Sequence, residues 1–220
     1  MTPPGPALLA GTGLVADDLF LMAHHEVSGR PYLSARAVGL GLAGGLLAEL
    51  VLAGRVHVVG GSVAVVGGGV LADGLERAVL ELLAGQDGRQ HGLREWLTYL
   101  ARTSARDVAA RLARAGYLSE ARSRWGRGEA RWVPSDPDSA FASVVRAKAA
   151  LDGSRPCLPD WAVLAGLADA AGLGSRFLAY GPPDARRCLD SAVRGLCPSL
   201  RDLVAWTQAA VDSAVLSHRP

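Results

Sequence analysis

Residues Ala37 to Val59 read AVGLGLAGGLLAELVLAGRVHVV, and no other part of the chain carries so much apolar surface with so few charges. The stretch reads as a central buried helix followed by a strand. Gly39, Gly41, Gly44 and Gly45 fall inside the helical part. A glycine there costs about 1 kcal/mol against alanine, so the pattern predicts neighbouring helices that approach closely enough to offset it. Leu42, Leu46, Leu47 and Leu50 supply the apolar contacts. A membrane span needs about 20 apolar residues, whereas the run from Ala37 meets Glu49 after twelve, which favours a core helix. Gly54 is the expected C-cap, and Arg55 follows it.

Working outward, Arg55 to Val59, the pair Gly60-Gly61 and Ser62 to Val66 have the pattern of a two-residue β-hairpin. Gly67 to Gly69 fit neither phosphate-loop spacing and read as a turn. Upstream, a first helix is expected from about Val15 to His25, with Val15, Leu19, Met22 and Ala23 on one face. Asp17 and Asp18 stand in its first turn, where acids favour the helix dipole and are expected to be solvated. A metal site there would want a second carboxylate one turn on. Downstream, helices are expected at Asp73 to Ala84 (Leu75, Val79, Leu82, Leu83 inward), at Leu93 to Leu100 (Trp96, Leu97, Leu100 inward), and at Ser104 to Ala115 with Ser104 as N-cap. Leu118 to Val133 reads as a second hairpin turning near Gly126 to Gly128. Helices follow at Ala140 to Leu151, Asp160 to Ala171, Asp184 to Leu196 and Leu200 to Leu216. The fold class is therefore mainly α: residues 1–13 disordered, residues 14–220 one compact helical domain around the Gly/Leu-rich helix, with two short peripheral β-hairpins.

A formal charge of +2 makes no global electrostatic statement, and 50% hydrophobic residues with only 5% aromatics suit a helical protein. Lys148 is the one lysine among 23 basic residues, a bias that points to a GC-rich coding genome rather than to function. Cys157, Cys188 and Cys197 are odd in number and lack C-x-x-C spacing. They argue against a disulfide framework or zinc site and read as buried small hydrophobes in a reducing compartment. The start, MTPPGPALLAG, lacks a signal-peptide pattern, so the expected location is cytoplasmic, with peripheral attachment at the inner membrane face open.

Between Ala101 and Arg131 stand eight arginines (102, 106, 111, 114, 122, 124, 127, 131) against Asp107, Glu120 and Glu129, a net of plus five on a chain whose remainder is mildly acidic. A basic surface of this kind is a footprint for a polyanion or an anionic membrane. Trp125 and Trp132 are interleaved with those arginines, one expected inside the hairpin and one exposed at an interface. Signatures of catalysis are poor. His24 and His25 are consecutive and point apart, His57 and His91 have no visible partner, and no nucleophile motif occurs. No metal ligand set and no cofactor are expected.

Three stretches resemble the Golgi phosphoprotein 3 (GPP34) family: Leu14 to Pro31 (LVADDLFLMAHHEVSGRP), Gly41 to Val56 (GLAGGLLAELVLAGRV) and Arg111 to Leu118 (RLARAGYL). The resemblance runs from Leu14 to about Leu216, and the chain looks like a bacterial, actinobacterial-type member. It implies a mainly helical fold with peripheral hairpins and a monomer able to oligomerise. In eukaryotic members a tryptophan and three arginines hold phosphatidylinositol-4-phosphate, and an apolar hairpin enters the bilayer. Here those four positions fall on Ser34, Ala43, Arg102 and Ala105, with Arg106 adjacent, so the implied pocket is degenerate and only Arg102 matches.

The reading that results is a non-enzymatic peripheral protein contacting anionic lipid headgroups or an acidic partner. Its anion-binding and lipid-binding candidates are Ser34, Arg102, Arg106, Arg122, Arg124, Trp125, Arg127 and Arg131. One alternative is a small-molecule enzyme reusing the fold, with an apolar pocket near Ala43 and polar groups among Asp17, Asp18, His24, His25, Glu49 and Arg102. A further alternative is a winged-helix nucleic-acid binder, because Ser104 to Ala115 precedes a basic hairpin.

Overall fold

A computed structural model of the chain describes residues 12–67, 71–85, 91–121, 131–151, 157–179 and 181–216. It is mainly helical with two short antiparallel hairpins, as the sequence leads one to expect. In chain order the elements are α1 (Val15–Ala23), α2 (Ala35–Leu52), β1 (Val56–Val59), β2 (Ser62–Val65), α3 (Gly74–Ala84), α4 (Leu93–Leu100) and α5 (Ser104–Arg114). There follow β3 (Leu118–Ala121), β4 (Arg131–Pro134), α6 (Pro137–Ala149), α7 (Pro159–Ala171), α8 (Gly174–Leu178), α9 (Ala185–Arg194) and α10 (Pro198–Leu216).

α2 is apolar on every side, and a helix of that kind needs partners all round. α1, α7 and α10 pack closely on it, and α3, α4 and α5 complete the enclosure. It is long and apolar enough to cross a membrane by length and composition, yet every residue from Ala37 to Leu50 is buried within the protein. The close approaches inferred from its glycines are present. A Cβ at Gly45 would lie 2.8 Å from the Cα of Ala16, and one at Gly39 would lie 2.4 Å from the Ala101 carbonyl oxygen. Ser34 caps the N-terminus by accepting from the Ala37 N–H. At the other end Gly54 takes φ +67°, and the Arg55 and Gly54 N–H groups return to the Leu50 and Val51 carbonyls, a Schellman ending.

The β1–β2 turn is the two-residue loop expected, with Gly60 and Gly61 both at positive φ. Gly61 lies against the Trp206 ring, and the Val58 N–H and C=O both bond the Ser199 hydroxyl, which fastens the hairpin to α10. β3 pairs with β4, with Glu120 opposite Trp132, and the expected turn near Gly126 to Gly128 lies outside the described residues.

Several boundaries differ from expectation for physical reasons. α6 begins at Pro137, with Asp136 as N-cap, because a proline at the first helical position supplies a fixed φ and lacks only an N–H that would go unpaired. α10 likewise starts at Pro198, and α8 is a single short turn-rich helix between Gly172 and Gly181. Ser104 is not an N-cap: Thr103 holds that position, while the Ser104 hydroxyl is buried and donates to the Gly39 carbonyl at 2.9 Å. The cysteines are not core residues either. Cys157 and Cys188 are half-buried and Cys197 is exposed.

Replacing Gly45 with alanine tests the α1–α2 contact. Although alanine is favoured inside a free helix, here the new methyl meets backbone, so a loss of about 1–3 kcal/mol is expected. Gly74→Ala at the start of α3, where nothing lies within 4 Å, should be neutral or slightly stabilising. Urea unfolding midpoints for both variants check the contrast.

Candidate anion-binding surface

The arginines around α5 divide into two populations by helical phase. Residues four apart share a face, and Arg102, Arg106, Ala110 and Arg114 all lie exposed along the outer side of α5 and the turn before it. Arg111 falls on the opposite side and is buried. Its guanidinium donates from Nε to Asp17 Oδ1 at 2.8 Å, from Nη1 to Glu49 Oε2 at 3.0 Å and Asp73 Oδ1 at 3.1 Å, and from Nη2 to Glu49 Oε1 at 3.2 Å. Glu49 also accepts the Ala16 N–H at 2.7 Å, and Asp73 caps α3 through the Leu75 and Glu76 N–H groups. One cation thus joins α1, α2, α5 and the head of α3.

A second buried pair lies beside it. Asp18 takes the Arg146 guanidinium, the Ser143 hydroxyl at 2.9 Å, and the Thr12 N–H and hydroxyl at 3.1 Å each. Arg146 continues to Asp160 Oδ2 at 2.9 Å. The expectation that Asp17 and Asp18 are solvated at the helix start is therefore corrected: both are buried, and both are committed to arginines. They meet different arginines because consecutive helical positions lie about 100° apart.

Three carboxylates around one guanidinium leave excess negative charge. Burial pushes the Asp17 carboxyl up to about 7; Arg111 opposes this and the Glu49 charge adds to it. Burial raises Glu49 as well, despite Arg111. Partial burial also works upward on Asp73, but the Glu76 and Leu75 N–H groups and Arg111 together hold it below the ordinary aspartate value.

Arg102 occupies the α4–α5 turn and edges a cavity of about 540 Å3 lined also by His91, Arg94, Trp96, Thr98 and Tyr99. His91 Nδ1 lies 3.0 Å from Glu95 Oε2, its ring stands edge-on to Trp96 at 5.5 Å, and Tyr99 stands edge-on to Trp96 at 6.2 Å. Arg94 donates to Ser213 Oγ of α10 at 2.8 Å. Gly39 packs on Ala101, so the first turns of α2 lie beside Arg102. Arg36, one turn before Gly39, is exposed. Among the described residues, neither Arg36 nor Arg102 forms an ion pair. Arg106 bonds its neighbour Asp107 at 3.1 Å.

The remaining sequence candidates fall in different places. Ser34 spends its hydroxyl on capping α2. Arg131 is exposed at the start of β4, and Trp132 is half-buried against the core. Arg122, Arg124, Trp125 and Arg127 lie outside the described residues. Ala43 is fully buried, with Leu19 and Ala171 against neighbouring Gly41 and Leu167 and Thr207 against Gly44. None of the cavities described borders Ala43. The winged-helix reading, which had no clear preceding helix pair in the sequence, gains none here, since α4 packs on α2 and α10 and α5 on α1 and α2 rather than on each other. Sequence reasoning missed Arg94, Trp96 and Tyr99 as neighbours of Arg102. The four-residue spacing of 102, 106 and 114 could have separated Arg111 from the outer row.

This arrangement defines a class: a mainly helical protein built round an enclosed apolar helix, with paired edge hairpins and an arginine row on one outer helix. Residues 15–217 match the family described as Golgi phosphoprotein 3 (GPP34), and the chain belongs to that family. A comparison with curated proteins finds none that matches.

The Asp17 shift has a defined sign. Its folded carboxyl titrates near 7 and its unfolded one near 3.8, so between those values only the folded state holds the proton. Stability from this group is full in acid and is lost as pH rises towards about 7, by at most about 1.4 kcal/mol per pH unit. His24 acts oppositely, because burial lowers its pKa. The difference between wild type and Asp17→Asn isolates the aspartate. Urea midpoints at pH 5, 6, 7 and 8 should show the wild type losing ground against the variant up to pH 7 and running parallel to it above.

Proposed function

We propose that the protein is a non-enzymatic peripheral protein that binds anionic lipid headgroups through the outer face of α5 and the α4–α5 turn. The observation that carries this reading is the exposed row Arg102, Arg106 and Arg114. Membership of the GPP34 family supports a lipid-binding or partner-binding role. The Arg102 cavity adds aromatic edges at Trp96 and Tyr99, which suit the region where headgroups meet water. Thr103, the N-cap of α5, makes no side-chain cap bond, so first-turn N–H groups and the helix dipole reinforce the Arg102 charge towards a phosphate.

The reading does not need an intact phosphoinositide pocket. Each arginine near an anionic surface contributes about 1 kcal/mol, and that contribution fades within a Debye length. Several aligned arginines give useful attachment, with Arg122, Arg124, Trp125, Arg127 and Arg131, which follow β3 in the sequence, as further contacts.

Flotation with vesicles of phosphatidylcholine alone and of phosphatidylcholine plus phosphatidylglycerol tests the reading. Binding is expected only to the anionic vesicles, and Arg102→Glu should weaken it several-fold at about 0.1 M salt. Arg201→Glu serves as control. Arg201 stands twelve residues before Ser213, the α10 residue that bonds Arg94, hence about 18 Å along the helix from that contact. Equal, salt-independent recovery with both vesicle types would remove the lipid reading, and salt-dependent binding to an acidic protein alone would transfer the surface to a protein partner.

A further inference from the structure

All three cysteines of the chain open onto one cavity, although they belong to three separate places. Cys157 lies two residues before α7, Cys188 lies on α9, and Cys197 immediately precedes α10. The cavity between them measures about 810 Å3 and reaches the last turn of α2. That volume falls within the range of small-molecule sites, roughly 300–1,000 Å3. It shares no lining residue with the Arg102 cavity, so the surface discussed above does not account for it.

The walls state a chemistry. The floor is apolar, formed by Val51, Leu52, Ala162, Leu196 and Leu200, and Leu52 is left 40% exposed there. α9 forms one side, since Asp184, Cys188, Ser191 and Gly195 recur at helical spacing on a single face. Arg187 lies on that face, and among the described residues its only carboxylate neighbour is Asp184, at a loose 3.7 Å. Most of its donors are thus available to an anion. Among the described residues the thiols do not belong to any group placed to share a metal ion. They behave instead as polarisable, weakly donating wall atoms next to an apolar body. Burial and the Asp160 charge raise the Cys157 thiol, which keeps it neutral in that wall.

We propose that this cavity is a second ligand site, which takes a small single-chain amphipathic anion. Its hydrocarbon lies on the floor against the thiols, and its carboxylate or sulfate head meets Arg187. The cysteines provide the readout. Each is alkylated by N-ethylmaleimide, with its rate followed by peptide mass spectrometry, in the presence of sodium dodecanoate, of dodecanol, or of neither.

Dodecanoate is expected to slow labelling of the half-buried Cys157 and Cys188 about tenfold or more at saturation. Arg187→Glu should raise the dodecanoate concentration needed by roughly tenfold, as loss of a charge-assisted contact requires, while protection by dodecanol persists. Ala192→Trp, which fills the cavity from α9, should remove the effect of both additives while the circular dichroism spectrum is kept. Labelling rates that dodecanoate and dodecanol leave unchanged or accelerate would overturn the site. Protection that survives Arg187→Glu at the same dodecanoate concentration would overturn the placement of the head.

Discussion

One guanidinium, that of Arg111, holds together three carboxylates brought from sequence separations of 94, 62 and 38 residues. Such a charge is tolerable in the interior only because its donors are met by Asp17, Glu49 and Asp73. Removing one partner of a buried pair leaves the other uncompensated, at a cost of about 3–5 kcal/mol. This junction also sets where the apolar helix can sit, since Glu49 is the charged residue of α2 that the core must accommodate. Glu49 faces Arg111 and the Ala16 N–H while the rest of that helix, from Ala37 to Leu50, is apolar and buried. The Asp18–Arg146 pair repeats the device on the neighbouring side of α1, tying α6 and α7 to it.

The same helix that spends Arg111 inward shows arginines outward. α5 has an apolar and ionic inner side built from Val108, Ala109, Arg111 and Leu112, and an outer side of Arg106, Ala110 and Arg114. A charge count along the chain does not distinguish these roles, and the segment's net of plus five overstates what a ligand would meet. Among the described residues of this segment, Arg102, Arg106 and Arg114 form the exposed outer row, and Arg131 is exposed at the start of β4. Arg102 lies where the α4–α5 turn meets the Tyr99 side of α4, with Gly39 of α2 packed on neighbouring Ala101.

Local signals were readable where one residue type answers one geometric demand. The glycines of α2 announced close helix contacts, Gly60-Gly61 announced a hairpin turn, and the Trp96, Leu97, Leu100 pattern gave the buried side of α4. Features that depend on distant partners were not readable. Asp17 and Asp18 look like ordinary first-turn acids until Arg111 and Arg146 arrive from far along the chain. Ser104 resembles an N-cap until the Gly39 carbonyl claims its hydroxyl. Prolines 137 and 198 resemble breaks, yet each opens a helix, because proline's cost depends on whether it falls at the first turn or inside. Cysteines 157, 188 and 197 resemble core residues, and only the packing of α7, α9 and α10 reveals the opening they share.

The central claim is that α2 is a permanently enclosed core helix and that contact with an anionic surface is made by the α4–α5 turn and α5 outside it. Amide hydrogen exchange, followed residue by residue with and without vesicles containing phosphatidylglycerol, tests both halves at once. The account predicts that amides from Leu40 to Leu50 exchange slowest and are unchanged by vesicles, while protection is gained from Arg102 to Arg106. Loss of protection in α2 on adding vesicles, or its protection by them in place of the α4–α5 turn, would contradict it.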